Sequence, residues 1–211
     1  MWRDGACGIS ARPTVDGMTD AELTPETYLD PADARTVRIT GPADLLDVLP
    51  RMLGYVPTRS AVLVALRPPR GRVALTLRVD LPPRNHEAAC ARLLAGHAQR
   101  AGATSAVLVV YDDAPASGVR WRGASLTRAV RSALRARGAI RLSDALAVRP
   151  GGWRSLLCSD EGCCPPAGRP LRPAGDPSAA GVALAVEGAG VLPDRKALVS
   201  SVAAPTGQRC A

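Results

Sequence analysis

Thr104-Ser105-Ala106-Val107-Leu108-Val109-Val110-Tyr111 is the stretch whose reading decides how this chain folds. From Ala106 to Val110 no polar residue interrupts the run. A strand wet on one face alternates polar and apolar residues. A strand apolar at every position must be covered on both faces, which is typical of a central parallel strand. The flanking segments supply the covers. Upstream, Asn85 can cap a helix to about Arg100, with Ala89, Leu93 and Leu94 inward and Gly102 past its end. Downstream, Gly123 to Arg137 reads as a helix with Leu126, Val130, Ala133 and Leu134 on its core face and Arg128, Arg131 and Arg135 opposite.

Further upstream, Ser60 to Leu66 is another continuous apolar run and Arg72 to Asp80 alternates, with Val73, Leu75, Leu77 and Val79 on one face. Arg67-Pro68-Pro69-Arg70-Gly71 is the turn that pairs them. Thr36 to Ile39 reads as a short first strand. Thr40-Gly41-Pro42 then starts a helix over Ala43 to Leu53, which Pro50 predicts to be short or kinked. On the C-terminal side, Ile140 to Val148 is a strand, Pro150-Gly151-Gly152 a turn and Trp153 to Leu157 a return strand. Residues 165–177 are Pro-rich loop, Ala179 to Glu187 fits either helix or strand, and Pro193 to Ala203 starts a last helix. The expected class is therefore α/β, a mixed β-sheet packed with helices in a single domain. That domain spans residues 36–204, between a disordered N-terminal arm over 1–35 and a tail over 205–211. Met18 offers an alternative start.

Composition narrows the class of protein more than its function. The 211 residues suit one domain of ordinary size, and the 46% hydrophobic content suits a globular core. There is no Phe, so that core is built from Leu, Val and Ala. The net charge is +8, which raises nucleic acid as a partner. However, Lys196 is the only lysine, Asn85 the only asparagine, and Arg, Ala, Gly and Pro dominate. GC-rich codons produce that bias without any polyanion. No apolar stretch is long enough to span a membrane and no signal peptide opens the chain, so the expected location is cytoplasmic, where thiols stay reduced.

The densest chemistry lies in Cys158-Ser159-Asp160-Glu161-Gly162-Cys163-Cys164-Pro165-Pro166, which holds three of the six cysteines. Structural zinc takes four ligands, usually in two pairs. Cys158, Cys163 and Cys164 supply three, adjacent cysteines ligate one metal only under strain, and a fourth ligand must come from Cys210, Cys90 or a histidine. Redox work favours C-x-x-C spacing, which is absent, although Arg154 and Arg169 are near in sequence. The plainer reading is a structural loop with the cysteines as small buried hydrophobes and the proline pair fixing its direction. No resident cofactor is expected, and zinc on these thiols is the one candidate. His86, Cys90 and His97 share a helix face, with a solvated edge the simpler reading. A second candidate, for ligand binding, is Arg78, Asp80, Asp112 and Asp113: if their strands run parallel, the three aspartates stand at carboxyl ends, where α/β sheets tend to bind ligands, and Arg78 and Arg84, close in sequence, could grip an anion. Phosphate-cradling loops, dinucleotide fingerprints and a nucleophile elbow are all missing.

Four blocks in order carry a resemblance. They are Asp44-Leu45-Leu46 with Pro50, Leu53-Gly54-Tyr55-Val56-Pro57 and Ser60-Ala61-Val62-Leu63-Val64; then Arg78-Val79-Asp80-Leu81-Pro82; then Asp144-Ala145-Leu146 with the Trp153 strand; then Cys158 with Cys163-Cys164-Pro165. Together they resemble the actinobacterial domain-of-unknown-function 4192 family over about residues 36 to 205. Tyr55 stands where that family more often has Phe. Its members commonly continue past this length, so the resemblance implies a truncated member or a gene cut by a frameshift. The family brings no activity with it. The reading is an uncharacterised binding or interaction module rather than an enzyme, with no membrane insertion. Its rivals are a thiol-based redox or metal-binding protein using Cys158, Cys163 and Cys164, and a basic nucleic-acid-binding domain.

Overall fold

The sheet has five strands in the order β2-β1-β3-β4-β5, in a computed structural model that describes residues 37–69, 71–113, 121–173 and 175–203. The expected arm and tail lie outside the described residues. In chain order the elements are α1 (Pro42–Leu53), β1 (Ser60–Arg67), β2 (Arg72–Asp80), a 3-10 turn (Arg84–His86), α2 (Glu87–Arg100), β3 (Ser105–Tyr111), α3 (Ala124–Ala136), β4 (Arg141–Arg149), β5 (Gly152–Ser155), α4 (Ala179–Val186) and α5 (Arg195–Val202). β1 pairs antiparallel with both β2 and β3, β3 pairs parallel with β4 across the α3 connection, and β5 returns antiparallel on β4. This is a single α/β domain with a mixed sheet.

Strand alternation sorts the core into two layers. Ala61, Leu63 and Ala65 of β1 and Ala106, Leu108 and Val110 of β3 meet Ala91, Leu94, Ala95 and Ala98 of α2 and Leu126, Val130 and Leu134 of α3. On the other face, Val62, Val64, Val109, Tyr111, Leu146 and Val148 meet Leu45, Leu46, Val48 and Leu49 of α1 and Ala180 of α4. Small residues on β1, β3 and α2 let helix and sheet approach closely, so a core without Phe still closes. Arg128 and Arg135 of α3 are exposed, as a solvated helix face should be.

Several details correct or complete the sequence reading. Asn85 lies in the 3-10 turn and α2 starts at Glu87 without a side-chain cap; Ala89 and Leu93 are exposed, while Ala91, Leu94, Ala95 and Ala98 are buried. In β2, Leu75, Leu77 and Val79 pack on the α2–α3 core, whereas Val73, beyond a register shift against β1, is exposed. Residues 37–39 form no strand; Val37 and Ile39 pack against the α1-side core without joining a ladder. The α1 helix reaches Leu53 as expected, with Pro50 inside it. Pro50 deprives the Leu46 carbonyl of its helical partner, while Leu45, Leu46, Val48 and Leu49 are buried around it. The ambiguous segment after residue 178 is helix, because Ser178 caps it by accepting from the Gly181 amide at 3.0 Å. Among the described residues, no helix is long and apolar enough to cross a membrane.

The α4 helix is keyed to α1 by one carboxylate. Asp47 accepts from the Ser178 amide at 2.8 Å and from its hydroxyl at 2.6 Å. A Cβ on Gly181 would run into that same carboxylate oxygen. Alanine for glycine inside a helix ordinarily gains about 0.5–1 kcal/mol. Here the sign reverses. Gly181→Ala should lower stability by about 1–3 kcal/mol, because the clash can be relieved only by breaking the part-buried pair of hydrogen bonds from Ser178 to the Asp47 carboxylate. Asp47→Ala should cost a similar amount, and the double variant less than the sum of the two, by denaturant unfolding. A Gly181→Ala protein that melts higher than the parent refutes this account.

Candidate functional site

A bulge in β4 begins the site. The β3–β4 register jumps from Ala106↔Leu142 to Val107↔Asp144, so Ser143 is the extra residue. Leu142 and Ala145 consequently both serve the α2–α3 core, three residues apart. Asp144 is left beside Ser143 in the wall of a cleft. Its Oδ1 accepts from its neighbour's amide, Ala145, at 2.7 Å and from the Ser155 hydroxyl at 2.6 Å. Ser155, the last residue of β5, is only 5% exposed. Its oxygen in turn accepts from the amides of Leu157 and Cys158, each at 3.1 Å. The chain Asp144–Ser155–Cys158 thus ties the start of the cysteine loop to the sheet.

The rest of the loop is held at several points. Asp160 Oδ1 accepts from the amides of Gly162 at 2.9 Å and Cys163 at 3.4 Å, an Asx turn, while its carbonyl accepts from the Cys164 amide at 2.7 Å. The Cys163 carbonyl accepts from Arg169 Nε at 2.6 Å. Arg169 itself exchanges two backbone hydrogen bonds with Trp153 of β5, at 2.7 and 2.8 Å. Trp121 donates its indole N–H to the Pro166 carbonyl at 2.9 Å, and the Arg149 guanidinium lies 3.9 Å from the ring centroid. Gly168 has φ +89 and lies against that indole, where a Cβ would stand 2.5 Å from a ring carbon. Both its backbone and its lack of a side chain are required.

Locked in this way, the loop brings its thiols together. The sulfurs of Cys158, Cys163 and Cys164 all lie within 4.8 Å of one another, and Cys163 and Cys164 are 3.9 Å apart. All are free thiols. Only Cys164 is buried; Cys158 is half-buried and Cys163 exposed, so packing as small hydrophobes accounts for one of the three. Hydrogen bonding with the thiols of Cys164 and then Cys158 pushes Cys163 above the usual thiol pKa. That is the opposite of the lowering that makes a reactive nucleophile. The three cysteines line a cleft of about 570 Å³. Its other wall is the start of α1, Thr40 to Asp44, with Asp144, Ser155 and Arg169 between. Arg154, close in sequence, is absent from this lining.

The other expected constellations fare differently. β2 and β3 both run antiparallel to β1, so they point the same way, with Asp80 and Tyr111 both opposite Ser60. Asp80, Asp112 and Asp113 therefore do share one end of the sheet. They are engaged there: Arg78 bridges Asp80 at 2.7 Å and donates to Ser60 Oγ at 2.8 Å, Asp113 accepts from the Arg59 amide at 3.0 Å, and Asp112 lies 3.5 Å from Arg122. His86, Cys90 and His97 belong to the 3-10 turn and α2, which cover the opposite face of the sheet from α1. They join no potential metal group among the described residues. Cys210 lies outside the described residues. The sequence reading assigned no role to Asp44, Asp144, Ser155 or Trp121. The one local signal for any of them was a Ser two and three residues ahead of the amides it accepts from.

Two outcomes follow for the frame of the site. Ser155→Ala removes both the clamp on Cys158 and the partner of Asp144, so it should cost about 1–3 kcal/mol. It should also speed the reaction of buried Cys164 with a thiol reagent. Unchanged Cys164 reactivity would show that the clamp does not set the loop. Asp44 reports on the cleft's other wall. Hydrogen bonds from the Thr40 hydroxyl and amide hold its carboxyl below the usual range, with Arg172 assisting. A carboxyl lowered in the folded state adds stability that is complete above its unfolded pKa and lost as pH falls through the folded value. Acidification from about pH 6 to about pH 3 should therefore destabilise the parent more steeply than Asp44→Asn.

No curated protein and no solved structure matches the chain. A family model does: residues 42–211, the greater part of the chain and every element just described, match the Domain of unknown function (DUF4192), and the chain belongs to that family.

Proposed function

We propose that this domain is a binding module rather than an enzyme, and that what it binds is a thiophilic metal ion, zinc in the first instance, held by Cys158, Cys163 and Cys164. The observation that carries the reading is the convergence of three sulfurs within 4.8 Å on the wall of one cleft. Zinc–sulfur bonds of about 2.3 Å place tetrahedral sulfurs roughly 3.8 Å apart. The Cys163–Cys164 separation of 3.9 Å already meets that spacing. The remaining contraction is at most about 1 Å, well within the reach of a χ1 adjustment. Adjacency in sequence is no obstacle here, because the Asp160 turn carries both thiols to one side. Asp144, Ser155, Asp160, Arg169 and Trp121 are the outer residues that hold the ligand loop in place. A cytoplasmic setting, which would keep the thiols reduced and available, completes the proposal.

The test is metal titration of the reduced protein followed by thermal melting. Zinc should bind one to one and raise the melting temperature. At a free concentration about 100 times Kd the gain is about 2.7 kcal/mol. Cys158→Ser, Cys163→Ser and Cys164→Ser should each abolish most of that gain, whereas Cys90→Ser should leave it intact. A parent protein whose melting temperature ignores zinc, or a Cys163→Ser variant that responds as the parent does, overturns the reading.

A further inference from the structure

The cysteine triad is incomplete as a closed site, and its incompleteness faces outward. Among the described residues, no histidine, aspartate or glutamate joins the three sulfurs. The ion's usual coordination number is four, and sites with three protein ligands keep the fourth position for an exchangeable group. The cleft that all three cysteines line has about 570 Å³, within the range that encloses small ligands. The protein's own imidazoles are out of play, since His86 and His97 sit on the other face of the sheet from α1.

Resting on the metal reading above, we infer that the ion's fourth position takes an exogenous neutral nitrogen donor, an imidazole or amine carried by a small molecule. Charge selects that class. A divalent ion with three thiolates has a net charge of −1. The ionisable groups lining the rest of the cleft are Asp44 and Asp144, against Arg169, with Arg172 behind the wall 3.5 Å from Asp44. Arg169 already spends its Nε on the Cys163 carbonyl, and Asp144 spends Oδ1 on Ser155 and the Ala145 amide. An anionic ligand would add charge to a site that, with its ion, is negative on balance. A neutral lone pair adds none, and a ligand bearing a second, protonated amine would gain from Asp44. Binding is simple substitution: the nitrogen lone pair replaces water at the fourth position, and no bond to sulfur is broken.

Cobalt(II) in place of zinc makes both claims visible at once. Sulfur-to-cobalt charge-transfer absorption reports the three thiolates, and the d–d bands report the fourth ligand. Imidazole added to the cobalt-loaded full chain should shift the d–d bands saturably while charge transfer is retained. Azide should bind about tenfold more weakly, and Asp44→Asn should narrow that gap. Strong charge transfer with d–d bands that ignore imidazole sinks this inference and leaves the metal reading standing. No charge-transfer band at all sinks the metal reading itself. Azide binding as tightly as imidazole refutes the charge argument. Cys7→Ser and Cys210→Ser, at positions outside the described residues, should bind imidazole as the parent does. If either change is needed before imidazole binds, a fourth thiolate closes the site and the inference is wrong.

Discussion

Burial of β3 on both faces is the constraint from which the rest of this domain follows. A strand with Leu108 on one side and Val109 on the other, each fully buried, needs a helical layer above and below and a strand at each edge. The chain meets those four demands with α2 and α3, α1 and α4, β1 and β4. The parallel β3–β4 pairing then requires a crossover, which α3 provides. β4 in turn needs its own outer edge covered. That sequence of needs ends at β5, four residues long, and it is from β5 that the cysteine loop departs.

The loop's chemistry is a consequence of β4's bulge rather than of the cysteines alone. Without Ser143 as an extra residue, strand alternation would set Leu142 and Asp144 on the same face. The bulge sends Leu142 into the α2–α3 core and leaves Asp144 free to clamp Ser155. Bulges near strand ends commonly re-aim a side chain in this way. A one-residue defect in pairing is thus converted, through two hydrogen bonds, into the position of Cys158.

The parts of the fold legible in the sequence were those governed by period. The apolar runs of β1 and β3, the alternation of β2 and the stripes of α1 and α3 each follow from a local rule and stand within a residue or two of expectation. Residues 37–39 were misread because apolar residues are needed wherever the core is touched, and Val37 and Ile39 touch it without pairing. Pro50 falls within the last turn or so of a helix that ends at Leu53 as its bounds predict; one backbone bond is forfeited there and apolar burial outweighs it. The cysteine cluster was visible as a cluster. Its geometry was not, since sulfurs close in sequence converge only if the backbone turns, and the turn depends on Asp160 and on anchors as distant as Trp121. The cleft was wholly invisible, because Asp44 and Asp144 are a hundred residues apart and come to one cleft only where α1 packs on the sheet beside β4.

An edge strand as short as β5 would ordinarily leave backbone groups open to pairing with another chain. Here the cysteine loop closes that edge itself, by the two hydrogen bonds between Arg169 and Trp153. The same residue that protects the edge reaches back to the Cys163 carbonyl. Edge protection and thiol placement are therefore one structural task, and a change that frees Arg169 must loosen both. The loop backbone that carries the thiols is anchored by the same contacts that cover the β5 edge. An ion arriving at this triad would meet a ligand loop whose backbone ordering entropy has already been lost in folding, which favours three sulfurs, rather than the customary four ligands, holding a metal with one face of it open.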